Sequence, residues 1–279
     1  MNTHTTLDTL LAALDALEAL RGGPAWVATD ADGTLWHTDL ADRAWHRVVG
    51  QRRIRPAADD VLRRTLARAG LASTGDVHQD AERLYQAYRD GVADDWALLE
   101  AMTACYAGWT EAEVRAFGRD LAREEVAPRA YETTAALLRA LVDRGHRVAV
   151  VSGSPRVLVE EALRALDLPA DLVVGADVER DGDVLTDRMR EPVPWEEGKV
   201  RALAEHGVRA PVAFGDTLGD LHLLEAADAL RVLVHPRPAL RARAGSPGGV
   251  GGGAWCLFQP CRTVGGHEVA PPAVDRVIV

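Results

Sequence analysis

Between residues 146 and 234, short apolar runs and amphipathic helical stretches take turns along the chain, and that alternation admits few folds. His146-Arg147-Val148-Ala149-Val150-Val151 is rich in β-branched residues and apolar on both faces, as a strand covered from both sides must be. After it the pattern predicts a helix over 155–166 with Pro155 in its first position, then a short strand at 172–174. A hairpin is expected over 178–185, turning on Asp181-Gly182. There follow a helix over 199–206, a strand at 211–214, a helix over 220–227 and a strand at 230–234. Strands joined through helices pair in parallel, because the connection must cross back over the sheet before the next strand begins. A further buried strand is expected at 25–29. The expected fold class is therefore α/β, a Rossmann-like three-layer core around a parallel sheet.

From about residue 40 to 129 nearly everything reads helical, with breaks at Arg55-Pro56, 70–75, Gly108-Trp109-Thr110 and Pro128. Thr110 with Glu113 is a capping-box pair, so a helix should follow. Another helix is expected over 131–144, closed by Gly145. The helical block is too long for a connection between neighbouring strands. The expected division is an α/β core from 1–36 and 131–279, with a helical cap domain at 37–130 inserted after the first strand. Leu7, Leu10, Leu11, Leu14 and Leu17 fall at helical spacing, so 1–22 should hold an N-terminal helix packed on the body.

Composition narrows the function classes. The formal net charge of −10 argues against nucleic acid, which needs a basic face. No apolar run approaches the ~18 residues of a membrane span, and the first residues lack a basic start, so neither a membrane nor a secretion signal is expected. Cys105, Cys256 and Cys261 make an odd, low count, which suits a reducing cytoplasmic setting. Cys256 and Cys261 with His267 do not have zinc spacing and read as structural. The glycine run at 246–253 lacks a phosphate-loop pattern and reads as a surface loop. The segment 255–279 is expected to cover a sheet edge or end.

Four segments carry the chemistry. The first is Asp30-Ala31-Asp32-Gly33-Thr34, where a buried strand empties into two acids one residue apart. Such acids are costly to bury without a cation, and the arrangement suits Mg²⁺ and a carboxylate nucleophile. The second is Val151-Ser152-Gly153-Ser154-Pro155, a hydroxyl with backbone amides at a helix start, suited to an anion. The third is Gly198-Lys199, in a chain with very few lysines against many arginines. The fourth is Gly215-Asp216-Thr217-Leu218-Gly219-Asp220, where a strand again ends in acids. Each has an ordinary alternative as a turn, a helix cap or a solvated charge. In an open parallel sheet, however, ligands bind beyond the carboxyl ends of the strands, and these segments would all meet there.

On these motifs the chain resembles the haloacid dehalogenase-like hydrolase superfamily over about 25–235, in its phosphatase branch, with a layout similar to phosphoserine phosphatase-like enzymes. The resemblance implies a phosphatase acting on a small phosphorylated metabolite. Asp30 would be the nucleophile that forms an aspartyl-phosphate, and Asp32 the general acid and then base. Ser152 and Gly153 would hold phosphoryl oxygens, and Lys199 would offset charge. Mg²⁺ would sit on the Asp30 side chain, the Asp32 carbonyl and Asp216, with Asp220 binding it directly or orienting Lys199. The acid at Asp32 is absent from true dehalogenases of this superfamily, so cleavage of a carbon–halogen bond is not expected. Gly219 stands where many phosphoserine-type members carry Asn. A phosphotransferase or mutase using the same intermediate, and a non-catalytic binding module, are the alternatives.

Substrate choice should lie in the cap. Asp39, nine residues after Asp30, stands where phosphoserine enzymes place an acid that reads the substrate amine; the ordinary reading is a helix cap or a surface acid. Trp36, with Trp45, Trp96 and Trp109, offers an aromatic wall for a cationic group, or core packing. Arg52, Arg53 and Arg55 offer a partner for a carboxylate, or a solvated face.

Overall fold

The computed structural model describes residues 6–244, 254–258, 262–264 and 267–269. Helix α1 (Leu7–Arg21) opens the chain, capped by the Thr6 hydroxyl, which accepts from the Thr9 N–H. It buries Leu10 and Leu14. Strand β1 (Trp26–Thr29) follows. A helical block comes next: α2 (Leu40–Gly50), α3 (Asp59–Arg68), α4 (Val77–Arg89), α5 (Asp95–Ala104) and α6 (Glu111–Leu121). After α7 (Glu132–Asp143) the alternation begins with β2 (Arg147–Pro155), α8 (Arg156–Ala165) and β3 (Leu172–Ala176). The antiparallel hairpin β4 (Val178–Asp181) and β5 (Val184–Met189) turns on Gly182, whose φ of 63° suits glycine. Then come α9 (Glu197–Glu205), β6 (Val212–Gly215), α10 (Leu221–Ala226), β7 (Leu230–Val234), α11 (Pro238–Ala244) and β8 (Ala254–Phe258). A small antiparallel pair, β9 (Arg262–Val264) and β10 (His267–Val269), ends the described chain.

Six strands form one parallel sheet in the order β3-β2-β1-β6-β7-β8. Alternate residues feed two cores, because successive side chains on a strand point to opposite faces. Val27, Val148 and Val150 pack with Leu137 of α7 and Leu158 of α8, whereas Ala28, Ala149 and Val151 pack with Leu203 of α9 and Leu224 of α10. This is the expected three-layer α/β arrangement. Arg231 lies buried in β7, where burial holds its pKa below the usual value. Its Nε donates to the Leu224 carbonyl at 2.8 Å, so the cation closes the C-terminal end of α10.

The capping box named by the sequence recurs in the structure: Thr110 with Glu113 caps α6. Asp39, Asp76 and Asp94 accept backbone N–H groups at the starts of α2, α4 and α5, the last two as caps the sequence reading did not name. Each such cap stabilises its helix by about 1 kcal/mol. The loop before α6 is stitched to the hairpin: Gly108 N–H donates to the Leu185 carbonyl at 2.8 Å, and Leu185 N–H returns a bond of 2.8 Å to the Trp109 carbonyl.

Three elements differ from the sequence reading. Pro155 is not the first helical residue; it ends β2 in an extended conformation (ψ 125°), and α8 starts at Arg156. Pairing of Pro155 with Ala176 after a register shift keeps it in the strand. A break at 90–94 separates α4 from α5, where the sequence showed only helical composition. α11 is an element the sequence reading did not include, while β8 adds a sixth strand at the sheet edge that the segment from 255 was expected to cover. Cys261 and the glycine run 246–253 lie outside the described residues, while Cys105 is buried in the helical block. No helix among the described residues is long and apolar enough to cross a membrane.

Candidate active site

Strand β1 delivers Asp30 to the carboxyl edge of the sheet, and its N–H still donates to the Phe214 carbonyl of β6 at 3.0 Å. The ladder thus fixes the backbone up to the acid. Asp30 is 5% exposed. Lys199, carried on the first turn of α9, places its Nζ 2.6 Å from Asp30 Oδ1 and 2.5 Å from Asp220 Oδ1. It is the only lysine in the chain. Helix α9 can seat it there because Gly198 packs so close to the Val193 carbonyl that a side chain would collide.

Burial pushes the Asp30 carboxyl up to about 7; Asp220 adds to the rise and Lys199 only partly offsets it. Burial works against the Lys199 ammonium too, but the charges of Asp220 and Asp30 outweigh it and hold the group protonated. Removing water from a charge is costly, so the cluster is stable only as a set.

Asp216 follows β6 and is 2% exposed. Its carboxyl is held well above the usual range by burial, then by the nearby charges of Asp220 and Asp30. Its Oδ1 has no hydrogen-bond partner among the described residues, and its Oδ2 lies 3.7 Å from Arg237 Nε. Asp220 is differently placed. Its Oδ2 accepts from the N–H groups of Asp216 and Thr217, each at 3.0 Å, while Oδ1 takes Lys199. Carboxylate oxygens of Asp30, Asp216 and Asp220 all lie within 4.8 Å of one another. Hard oxygen donors with one buried, unsatisfied acceptor fit a small divalent cation such as Mg²⁺. Gly33, at φ +82°, makes room for this group: a Cβ there would collide with the Asp216 carboxylate.

Asp32 is half-buried and held by four donors. Oδ1 accepts from Trp36 Nε1 at 2.7 Å and from Leu40 N–H at 2.9 Å; Oδ2 accepts from Ser154 Oγ at 2.6 Å and Ser152 Oγ at 3.3 Å. Burial raises its pKa, and these bonds, led by that from Ser154, oppose the rise.

Asp30, Asp32, Ser152, Ser154 and Lys199 line one cavity together with Gly153, Asp39 and Arg237, while Asp216 and Asp220 are buried next to Asp30. The structure therefore brings Asp30, Asp32, Ser152, Gly153, Lys199, Asp216 and Asp220 to one edge of the sheet. Asp39 reaches the cavity while also capping α2 through the Asp42 N–H at 2.8 Å. Trp36 does not wall the cavity; it is fully buried, and its indole N–H holds Asp32. Trp45 and Trp109 are core residues. Arg52, Arg53 and Arg55 lie away from the cavity, the first paired with Asp76 and the last with Glu113, while Arg53 stacks over Trp109. Among the site residues that sequence reasoning did not single out are Ser154, Trp195 and Arg237. The Ser152-Gly153-Ser154 spacing was the available signal for Ser154, since alternate strand residues share a face. Nothing in the sequence pointed to the other two.

Residues 27–225 match the family described as haloacid dehalogenase-like hydrolase. No curated protein matches the chain. Among solved structures, a protein with unknown function from Bordetella pertussis Tohama I has a TM-score of 0.61 at 21% identity, over 84% of this chain and 98% of that one. A HAD family hydrolase from Salmonella enterica subsp. enterica serovar Typhi has a TM-score of 0.51 at 19% identity, over 86% and 75%. A substrate-bound phosphoserine phosphatase also has a TM-score of 0.51, at 16% identity over 84% and 92%. At such identities the likeness is one of fold.

Proposed function

The chain belongs to the haloacid dehalogenase-like hydrolase family, and from that premise we propose that it is a Mg²⁺-dependent phosphatase acting on a small phosphomonoester through an aspartyl-phosphate on Asp30. The observation that carries this reading is the Lys199 bridge between Asp30 and Asp220, with the buried, unsatisfied Asp216 oxygen in the same cluster of carboxylates. An anionic nucleophile cannot approach a phosphate dianion unless cations offset the repulsion.

In this reading a carboxylate oxygen of Asp30 attacks phosphorus, and the bond from phosphorus to the ester oxygen breaks. Asp32 gives its proton to the departing oxygen, so the leaving group departs as a neutral alcohol. Asp32 then takes a proton from water, whose oxygen attacks the phospho-Asp30, releasing phosphate and restoring the acid. The Ser152 and Ser154 hydroxyls and the Trp36 N–H hold Asp32 in place for both steps. Asp220 keeps Lys199 charged and aimed at Asp30. The Asp30 and Asp216 carboxylates and the Asp32 carbonyl would hold Mg²⁺, which when bound supplies positive charge to the phosphoryl oxygens. In this reading the helical segment 37–130 acts as a cap domain inserted in the core; its Ala41, Leu99 and Met102 line the cavity. A cytoplasmic setting accords with the buried free thiol of Cys105.

The test is phosphate release from a panel of small phosphomonoesters with Mg²⁺, against EDTA and against Asp30→Asn. Release that needs Mg²⁺ and Asp30 is expected. Full activity in chelator, or in Asp30→Asn, removes the proposal. Transfer of phosphate to an added alcohol without free phosphate would make the protein a phosphotransferase instead.

A further inference from the structure

Away from the reacting acids, the cavity wall is carbon. Leu99, Met102 and Thr103 all line it and stand at i, i+3 and i+4 on α5, which makes them one face of that helix. The Thr103 hydroxyl is tied to the Leu99 carbonyl at 2.9 Å. Trp195 completes the wall. A methyl built on Gly153 would lie 3.5 Å from Trp195 Cε3 and 3.6 Å from Leu99 Cδ1. The apolar wall therefore stands over the Ser152–Ser154 strand end. Asp32, the group that serves the departing oxygen, is bound by both of those serines. A leaving group protonated by Asp32 must project toward Leu99, Met102 and Trp195.

Charged groups on the helical block face elsewhere. On α5, Glu100 is turned to Arg64 at 3.3 Å and Arg68 at 2.9 Å. Among the described residues the block gives the cavity one charged side chain, Asp39, and it is an acid. Two cations line the cavity, Lys199 between Asp30 and Asp220, and Arg237 3.7 Å from Asp216 and near enough to Asp39 to favour its ionised form. A carboxylate placed against the wall would lose its water and approach Asp39, while the cations of the cavity are already engaged, Lys199 by Asp30 and Asp220 and Arg237 by Asp216 and Asp39. An alkyl group there would gain about fourfold in affinity for each methylene buried.

We infer that the substrate of this site carries an apolar alkyl or arylalkyl leaving group without a carboxylate, so that phosphorylated amino acids and hydroxy acids are poor substrates. The inference rests on the phosphatase reading for its direction, but the pocket can be read without turnover.

The probes are two stable phosphonates of nearly equal shape, 3-methylbutylphosphonate and 3-phosphonopropanoate, in which a carboxylate replaces the isopropyl group. Calorimetric titration of the full chain with Mg²⁺ present should show the first binding about tenfold more tightly or better. Trp195→Ala should cut that preference to about threefold or less while leaving inorganic phosphate affinity unchanged. Equal affinity, a preference for the carboxylate, or no measurable binding of the alkyl ligand overturns the inference. The matching phosphate esters, assayed for phosphate release, separate the two claims. Alkyl preference in binding with neither ester hydrolysed leaves the pocket standing and removes the phosphatase reading. Hydrolysis that favours the carboxylate ester leaves the phosphatase reading and removes this one.

Discussion

Lys199 Nζ lies 2.6 Å from Asp30 Oδ1 although 169 residues separate them in the chain. The contact joins the start of α9 to the end of β1, and the same ammonium meets Asp220 at 2.5 Å. Arginine supplies every other basic side chain of the Lys and Arg set, so this position alone has a compact ammonium on a flexible stem.

Asp30→Asn should lower phosphate release by about three orders of magnitude or more, because the amide cannot form the acyl phosphate. The change is nearly isosteric and removes a buried charge, so the melting temperature in EDTA should not fall. Steady-state kinetics and thermal melts on the same preparation check both parts.

Lys199→Met should destabilise the metal-free protein by about 3–5 kcal/mol, since it leaves Asp30 and Asp220 buried without their shared partner. The double variant with Asp30→Asn should recover part of that loss. Urea unfolding of the three proteins measures the coupling; strictly additive effects would contradict it.

The metal-free protein should lose stability as pH rises. Burial lifts Asp30 from an ordinary 3.8 to about 7, so the folded state binds more protons than the unfolded chain between those values. Stability then falls with increasing pH across that window, and the raised carboxyls of Asp216 and Asp39 add to the fall. Melts in EDTA at about pH 5 and about pH 8 should show the drop, and added Mg²⁺ should reverse it by offsetting the charge. A melting temperature that climbs from pH 5 to 8 in EDTA would count against the buried acid cluster.

Ser154→Ala should shift the alkaline limb of the pH–rate profile to higher pH. The Ser154 hydroxyl bonds the Asp32 carboxylate at 2.6 Å and so favours its ionised form. Removing that bond raises the Asp32 pKa, and the proton needed by the leaving group is kept to higher pH. An unmoved limb would separate Asp32 from that step.

Gly33→Ala should abolish Mg²⁺ binding with little change in overall secondary structure. The new methyl would strain a backbone at φ +82° and press on the Asp216 carboxylate. Gly50→Ala, where a Cβ meets nothing within 4 Å, is the control. Titration with Mg²⁺ followed by melting temperature reads the difference.

The sequence alone determined the layers and pointed to the acids and the lysine of the candidate site. Strand-to-helix alternation dictates a parallel sheet, and carboxylates at the end of a buried strand require a cation wherever the chain folds, so β1, Asp30, Asp32, Asp216 and Lys199 were legible from local pattern and charge. Caps were legible too, because Asp39 and the Thr110–Glu113 pair bond within their own turns. Pro155 misled because its fixed φ suits both a helix start and an extended residue; pairing with Ala176 on β3 decided it. Only the tertiary structure decided what the tryptophans and arginines do. An indole at position 36 can wall a pocket or, as here, donate to Asp32, and the choice depends on which way the chain turns after β1. Likewise Trp195 and Arg237 join the cavity through loops after β5 and β7, whose paths depend on contacts with distant parts of the chain rather than on neighbours in sequence. Charge and periodicity are local properties, whereas the shape of a cavity wall is set by packing between segments far apart in the chain.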